Sequence, residues 1–177
     1  MTASLVLTVM GPDRPGLVDS LSRVVAEHGG NWLESRMARL AGQFAGILLV
    51  EAPEARALAL RQALEGLAGE GLHVVVAGGA AEASLAPCYF LTLELVGQDH
   101  PGIVRDIAHA LAGCGVSIEE LTTHRTSASM SGEMLFHAQA RLRVPGGVAR
   151  EELRQALEAL ADELMVDLNL EEDRGAD

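Results

Sequence analysis

The chain has 177 residues, enough for one domain or two small ones, and 49% apolar against 21% charged residues marks a globular protein with a core. Thirteen basic residues, all of them arginine, face 25 acidic ones, for a net charge of −12. That sign argues against direct nucleic-acid binding, which needs a basic stripe on phosphates, and against docking on an anionic membrane.

In chain order, residues 5–10 alternate weakly and read as a strand, which Gly11-Pro12-Asp13-Arg14-Pro15-Gly16 interrupts. Leu17, Val18, Leu21, Val24 and Val25 then recur at helical spacing, and Gly29-Gly30-Asn31 turns the chain back. Strands are predicted at 32–40 and 43–51, then a helix carrying LRQALE at 60–65 and a strand at 72–77. Residues 78–87, GGAAEASLAP, are small and flexible in composition and are predicted to form a linker. From residue 88 the pattern starts again. Leu91, Leu93 and Leu95 alternate with Thr92 and Glu94 in a half-buried strand, and Ile103, Val104, Ile107, Ala110 and Leu111 mark a helix. Met134, Phe136, Ala138, Ala140 and Leu142 alternate in a strand, Leu153, Leu157, Leu160 and Leu164 stripe a second helix, and residues 165–170 close the copy.

The two halves are a repeat. At an offset of 86, Gly11, Asp13, Pro15, Gly16, Val18, Ala26, Gly29 and Glu34 recur as Gly97, Asp99, Pro101, Gly102, Val104, Ala112, Gly115 and Glu120. The hexapeptide LRQALE recurs at 153–158, an offset of 93. The added residues are expected in turns, about four near 127–131 and the rest near 145–147. The order βαββαβ, twice, predicts an α+β protein of two ferredoxin-like units, each an antiparallel four-stranded sheet with two helices on one face. The expected boundaries are 1–77 and 88–170 for the units, 78–87 for the linker and 171–177 for a solvated acidic tail. Units this small have modest cores, and their open sheet faces and edges predict a homodimer or a pairing of the two copies.

The loop before the first helix carries the most chemistry. Pro15 suits the first helical position, and Gly16 lets another molecule approach the backbone. The free amides of the first turn favour a carboxylate or phosphate, while Asp13 can accept from an ammonium group. Together they suit a zwitterionic amino acid; the same residues also suit a plain loop with a well-formed helix start. Asn31 can donate and accept at once, which fits either a ligand's polar groups or a turn. The second copy has the shorter Ser117 there, so the first copy is expected to bind better.

Sequence motifs for catalysis are missing: HExxH, GxSxG, GxxxxGK[ST] and GxGxxG after a strand are all absent. The six histidines lack metal-ligand spacing with Cys88 and Cys114, which themselves lack CxxC spacing. No catalytic residue, metal or cofactor is expected. The N-terminus does not resemble a signal peptide, no apolar run nears the ~18–20 residues of a membrane span, and the expected compartment is the cytoplasm.

Asp13-Arg14-Pro15-Gly16-Leu17-Val18 followed by Gly29-Gly30-Asn31 resembles the ACT-domain signature, and Asp99-His100-Pro101-Gly102-Ile103-Val104 with Gly115-Val116-Ser117 resembles it again. Two such units without an attached enzyme are similar to the glycine cleavage system transcriptional repressor family. The resemblance implies a non-enzymatic sensor of a small amino acid, glycine or similar, that acts through a DNA-binding transcriptional activator or another regulatory protein. It also implies ligand contacts at Gly11, Asp13, Gly16 and Asn31, and at Asp99, Gly102 and Ser117. Asp13 and Asp99 stand where some amino-acid-binding relatives carry asparagine. The first loop is similar too to the ACT unit preceding formyltetrahydrofolate deformylase. Two alternatives follow: a constitutive interaction adaptor with empty sites, or a regulatory module of an amino-acid or one-carbon enzyme.

Overall fold

The computed structural model describes residues 1–79, 87–127 and 133–172. The chain divides into two compact units, Met1–Ala83 and Ser84–Asp177. In the first unit β1 (Thr2–Pro12) leads to α1 (Leu17–Glu27), then β2 (Asn31–Leu40), β3 (Gln43–Pro53), α2 (Glu54–Gly66), a single 3-10 turn (Leu67–Glu70) and β4 (His73–Gly78). The second unit repeats the order with β5 (Cys88–Gln98), α3 (Ile103–Gly113), β6 (Ser117–Ser127), β7 (Met134–Pro145), α4 (Arg150–Leu164) and β8 (Val166–Glu172). The sheets run β2-β3-β1-β4 and β6-β7-β5-β8, every neighbour antiparallel. This is the predicted α+β, ferredoxin-like arrangement, twice.

Alternation explains which face of each sheet is covered. On β1 the side chains of Leu5, Leu7 and Val9 are buried, and α1 lays Leu17, Leu21, Val24 and Val25 against them. Leu48, Leu60 and Leu64 complete the fully buried centre. In the second unit Leu91, Leu93 and Leu95 meet Leu111, Leu142, Leu153 and Leu157. The opposite sheet faces differ. In the first unit Ile47, Thr8 and Val75 form one cross-strand row, and Ile47 and Val75 are 50% and 67% exposed. The corresponding row in the second unit, Gln139, Glu94 and Asn169, is polar, and Gln139 donates from Nε2 to Glu94 Oε1.

Three expectations are corrected. Pro15 is not the first helical residue: α1 starts at Leu17, and Gly16 is its N-cap with φ +91 and ψ 1. Those angles are the third residue of a type II turn, with proline at the second, so Pro15-Gly16 turns the chain into the helix from outside it. The added residues of the second copy are also distributed differently. From Arg39 to its cross-strand partner Phe44 is five positions, and from Arg125 to Phe136 is eleven. Six of the seven added residues therefore sit in the second hairpin, whose residues 128–132 lie outside the described residues, and one beyond it. Finally, Glu171 and Glu172 belong to β8, opposite Thr92 and Leu91, because β5 is long enough to pair with them. Residues 173–177 of the expected tail and 80–86 of the expected linker lie outside the described residues.

Close packing also accounts for one glycine of the loop motif. A Cβ on Gly11 would lie 2.3 Å from the Gly71 carbonyl oxygen, a backbone atom that cannot step aside alone. Gly11→Ala is expected to lower stability by about 1–3 kcal/mol. Gly66→Ala, into open space at the end of α2, is expected to be neutral or stabilising. Urea unfolding of both variants checks the pair; equal stability would refute the packing account of Gly11.

Candidate functional site

The loop between β1 and α1 is tied to its unit from two sides. Asp13 N–H donates to Gly42 O at 2.9 Å, docking the loop on the β2–β3 hairpin. The Asp13 carboxylate forms an ion pair with Arg39, whose Nε lies 2.5 Å from Oδ2. Arg39 reaches it because it stands opposite buried Phe44, and directly opposed residues project from the same face of a sheet. On the other side Arg14 Nη2 donates to Glu70 O at 2.9 Å, next to the close approach of Gly11 and Gly71.

The second unit repeats the first tie and, among the described residues, lacks the second. Asp99 N–H donates to Met134 O at 2.9 Å, and Arg125 Nη1 donates to Asp99 Oδ2 at 3.2 Å. Position 100, the counterpart of Arg14, is a histidine whose Nδ1 lies 3.3 Å from the neighbouring Pro101 O. Arg39 and Arg125 were missed in the sequence reading, although they recur at the same offset of 86 as the glycines. Their meaning emerges only with the hairpin register that aims them at the loop.

The helix starts differ as well. In α1 the first helical bond runs from Ser20 N–H to Gly16 O, so the amides of Leu17, Val18 and Asp19 precede it. The space above Gly16 is open, with no atom beyond its immediate chain neighbours within 4 Å of an ideal Cβ. Above Gly102, whose φ is +97, the corresponding position lies 3.1 Å from Arg105 Nη2 and 3.6 Å from Asp106 Oδ2. The hydrogen bond from Arg105 holds the Asp106 carboxyl below the usual carboxylate range. A charged pair of the protein's own thus sits over the start of α3, where the first unit has a gap.

Of the sequence-derived residues, the structure places Asp13 and Gly16 in one loop, with Gly11 just before it near the end of β1, and Asp99 and Gly102 in the other. It does not bring Asn31 or Ser117 to those loops. Asn31 opens β2 opposite Glu51, which itself faces Ser4 at the start of β1. Asp13 lies nine positions beyond Ser4, about 30 Å at ~3.3 Å per residue. Ser117 opens β6 in the same way, opposite Arg143. Both side chains are exposed at the far end of their sheets. A ligand held by either loop is therefore out of reach of Asn31 or Ser117 of the same unit.

Two matches to the ACT-domain family model cover residues 3–76 and 90–171, one per unit. The chain belongs to the ACT-domain family. Among its relatives, the glycine cleavage system transcriptional repressor of Escherichia coli strain K12 is 26% identical over 162 residues, covering 90% of this chain and 85% of the relative. A UPF0237 protein of Methanopyrus kandleri is 42% identical over 73 residues, 40% of this chain and 80% of that protein. Among solved structures, an unknown protein from Galdieria sulphuraria superposes with a TM-score of 0.87 at 32% identity, covering 98% of this chain and 99% of its own. The tandem ACT arrangement is thus shared along nearly the whole chain. Among the described residues no helix is long and apolar enough to cross a membrane, and no three or more His, Cys, Asp or Glu side chains are grouped to hold a metal ion.

The Asp13–Arg39 pair is exposed, with the arginine side chain at 69% and the aspartate at 30% of full accessibility. Pairs in such settings contribute about 0.2–1 kcal/mol. A double-mutant cycle of Asp13→Ala and Arg39→Ala, read by urea unfolding, is expected to give a coupling in that range. A coupling of about 3 kcal/mol, the scale of a buried pair, would contradict this placement.

Proposed function

We propose that this tandem ACT protein is a non-enzymatic regulator that binds a small amino acid at the Asp13–Gly16 loop and passes occupancy to a protein partner. One observation carries the reading: the first loop is braced on both sides yet leaves the start of α1 open above Gly16, with a carboxylate three residues before it. The amides at the helix start suit an α-carboxylate and Asp13 an ammonium group. The similarity to the repressor of Escherichia coli supports a sensing role in amino-acid metabolism, with glycine or a similar amino acid as ligand. On this reading the partner is a DNA-binding activator or another regulatory protein, the target genes are those of glycine cleavage or a related pathway, and the protein acts in the cytoplasm. The net charge of −12 supports regulation through another protein in place of direct DNA contact.

Gly11 serves this site through packing, Asp13 and Gly16 through direct contact, and Asn31 as a contact supplied by a second copy of the chain. Asp99, Gly102 and Ser117 form the counterpart. For the second unit a specific observation favours the adaptor alternative, in which a site stays empty: Arg105 and Asp106 fill the space above Gly102. We place the main site in the first unit.

A homodimer is supported by the exposed row of Ile47 and Val75, an apolar face that the polar second unit shows the fold does not require. Light scattering of the full chain is expected to give a dimer, and Ile47→Glu to shift it toward monomer. A monomer at high concentration would refute the assignment.

Ligand binding is tested by thermal shift against a panel of free amino acids. Ligand at about 100 times its Kd is expected to add about 2.7 kcal/mol to the folded state, a rise of roughly 5–10 °C for a two-state chain of this size. Asn31→Ala is expected to lose most of the shift while keeping the ligand-free midpoint, and Ser117→Ala to change it little. No shift with any amino acid would leave the adaptor reading.

A further inference from the structure

We propose that Arg39 is an internal competitor for the ligand's ammonium group, so that binding at the first loop exchanges Arg39 off Asp13 and loosens the β2–β3 hairpin. This rests on the reading of the Asp13–Gly16 loop as an amino-acid site. The Asp13 carboxylate that would accept an ammonium is already ion-paired with the Arg39 guanidinium. The same arrangement recurs with Asp99 and Arg125, although the second hairpin is six residues longer, so it does not follow from one particular turn.

The exchange is within reach of a small ligand. Arg39 stays largely in water, and a pair so placed is weak, so a cation held also by its own carboxylate can displace it. A displaced Arg39 returns its charge to solvent and leaves nothing buried unpaired. What remains between loop and hairpin is the bond from Asp13 N–H to Gly42 O. The hairpin ends β2, the edge strand of its sheet, where a change of order is open to a partner. Occupancy would thus be reported about 30 Å from Asn31, at the opposite end of β2.

The proposal fixes a ligand class. A ligand must bring a nitrogen that is charged and carries N–H donors; one with only a carboxylate gains nothing when Arg39 is removed. Calorimetric titration of the full chain with glycine and with N-acetylglycine, whose nitrogen is uncharged, separates the two. Arg39→Gln is expected to bind glycine roughly two- to fivefold more tightly than the unaltered protein, the range of an exposed ion pair. N-acetylglycine is expected to show no such gain, and Arg39→Lys, which keeps a competing cation, to stay within about twofold of the unaltered protein. Hydrogen exchange adds a readout: glycine is expected to speed exchange over residues 39–44 of the unaltered protein, and Arg39→Gln to show the faster exchange without ligand.

Glycine bound by both proteins with equal affinity, or more weakly by Arg39→Gln, would overturn the competitor role and leave the amino-acid site standing. Binding of no free amino acid of the panel by either protein would overturn both. Binding that appears only in Arg39→Gln would support the competitor role in its strongest form, a pair that closes the site.

Discussion

The joint between the β1–α1 loop and the β2–β3 hairpin is the contact on which the site depends. Among the described residues a backbone bond and an ion pair make it in each unit, from Asp13 to Gly42 and Arg39 and from Asp99 to Met134 and Arg125. The loop enters α1 through the Pro15-Gly16 turn, and the hairpin joins the edge strand β2 to β3. Joined, they hold an aspartate near the start of a helix, where exposed amides and a carboxylate offer opposite charges over a short distance.

Duplication gave the protein two such joints, and the units have since diverged around a common frame. The first adds a second brace from Arg14 to the Glu70 carbonyl and keeps open space over Gly16. The second has no such brace and covers Gly102 with Arg105 and Asp106. The sheet faces away from the helices diverge too, apolar in the first unit and polar in the second. On the function proposed above, binding and association fall chiefly to the first unit.

Much of the fold was legible because its signals are local. Alternation on β5 and the leucine stripe of α4 reflect which side chains face the core, and the repeated glycines mark turns that need their backbone freedom. The hairpin insertion was misjudged since register is a pairing property that no single strand displays. The site was legible only in part. Asp13, Gly16 and their counterparts lie in one continuous loop, so reading along the chain finds them. Arg39 lies 26 positions further on and reaches the loop through the geometry of β2. Asn31 follows a glycine pair and reads as part of the same site, yet antiparallel pairing carries it to the far end of the sheet.

The central claim is that a small amino acid binds at the open start of α1. Titration of the isotope-labelled full chain with glycine, followed by amide NMR, tests it most directly. The account predicts saturable shifts of the Asp13, Gly16, Leu17 and Val18 amides at lower ligand concentration than any at Asp99, Gly102 and Ile103. Shifts that appear first around Gly102, or that leave residues 11–19 unmoved while others saturate, would contradict it.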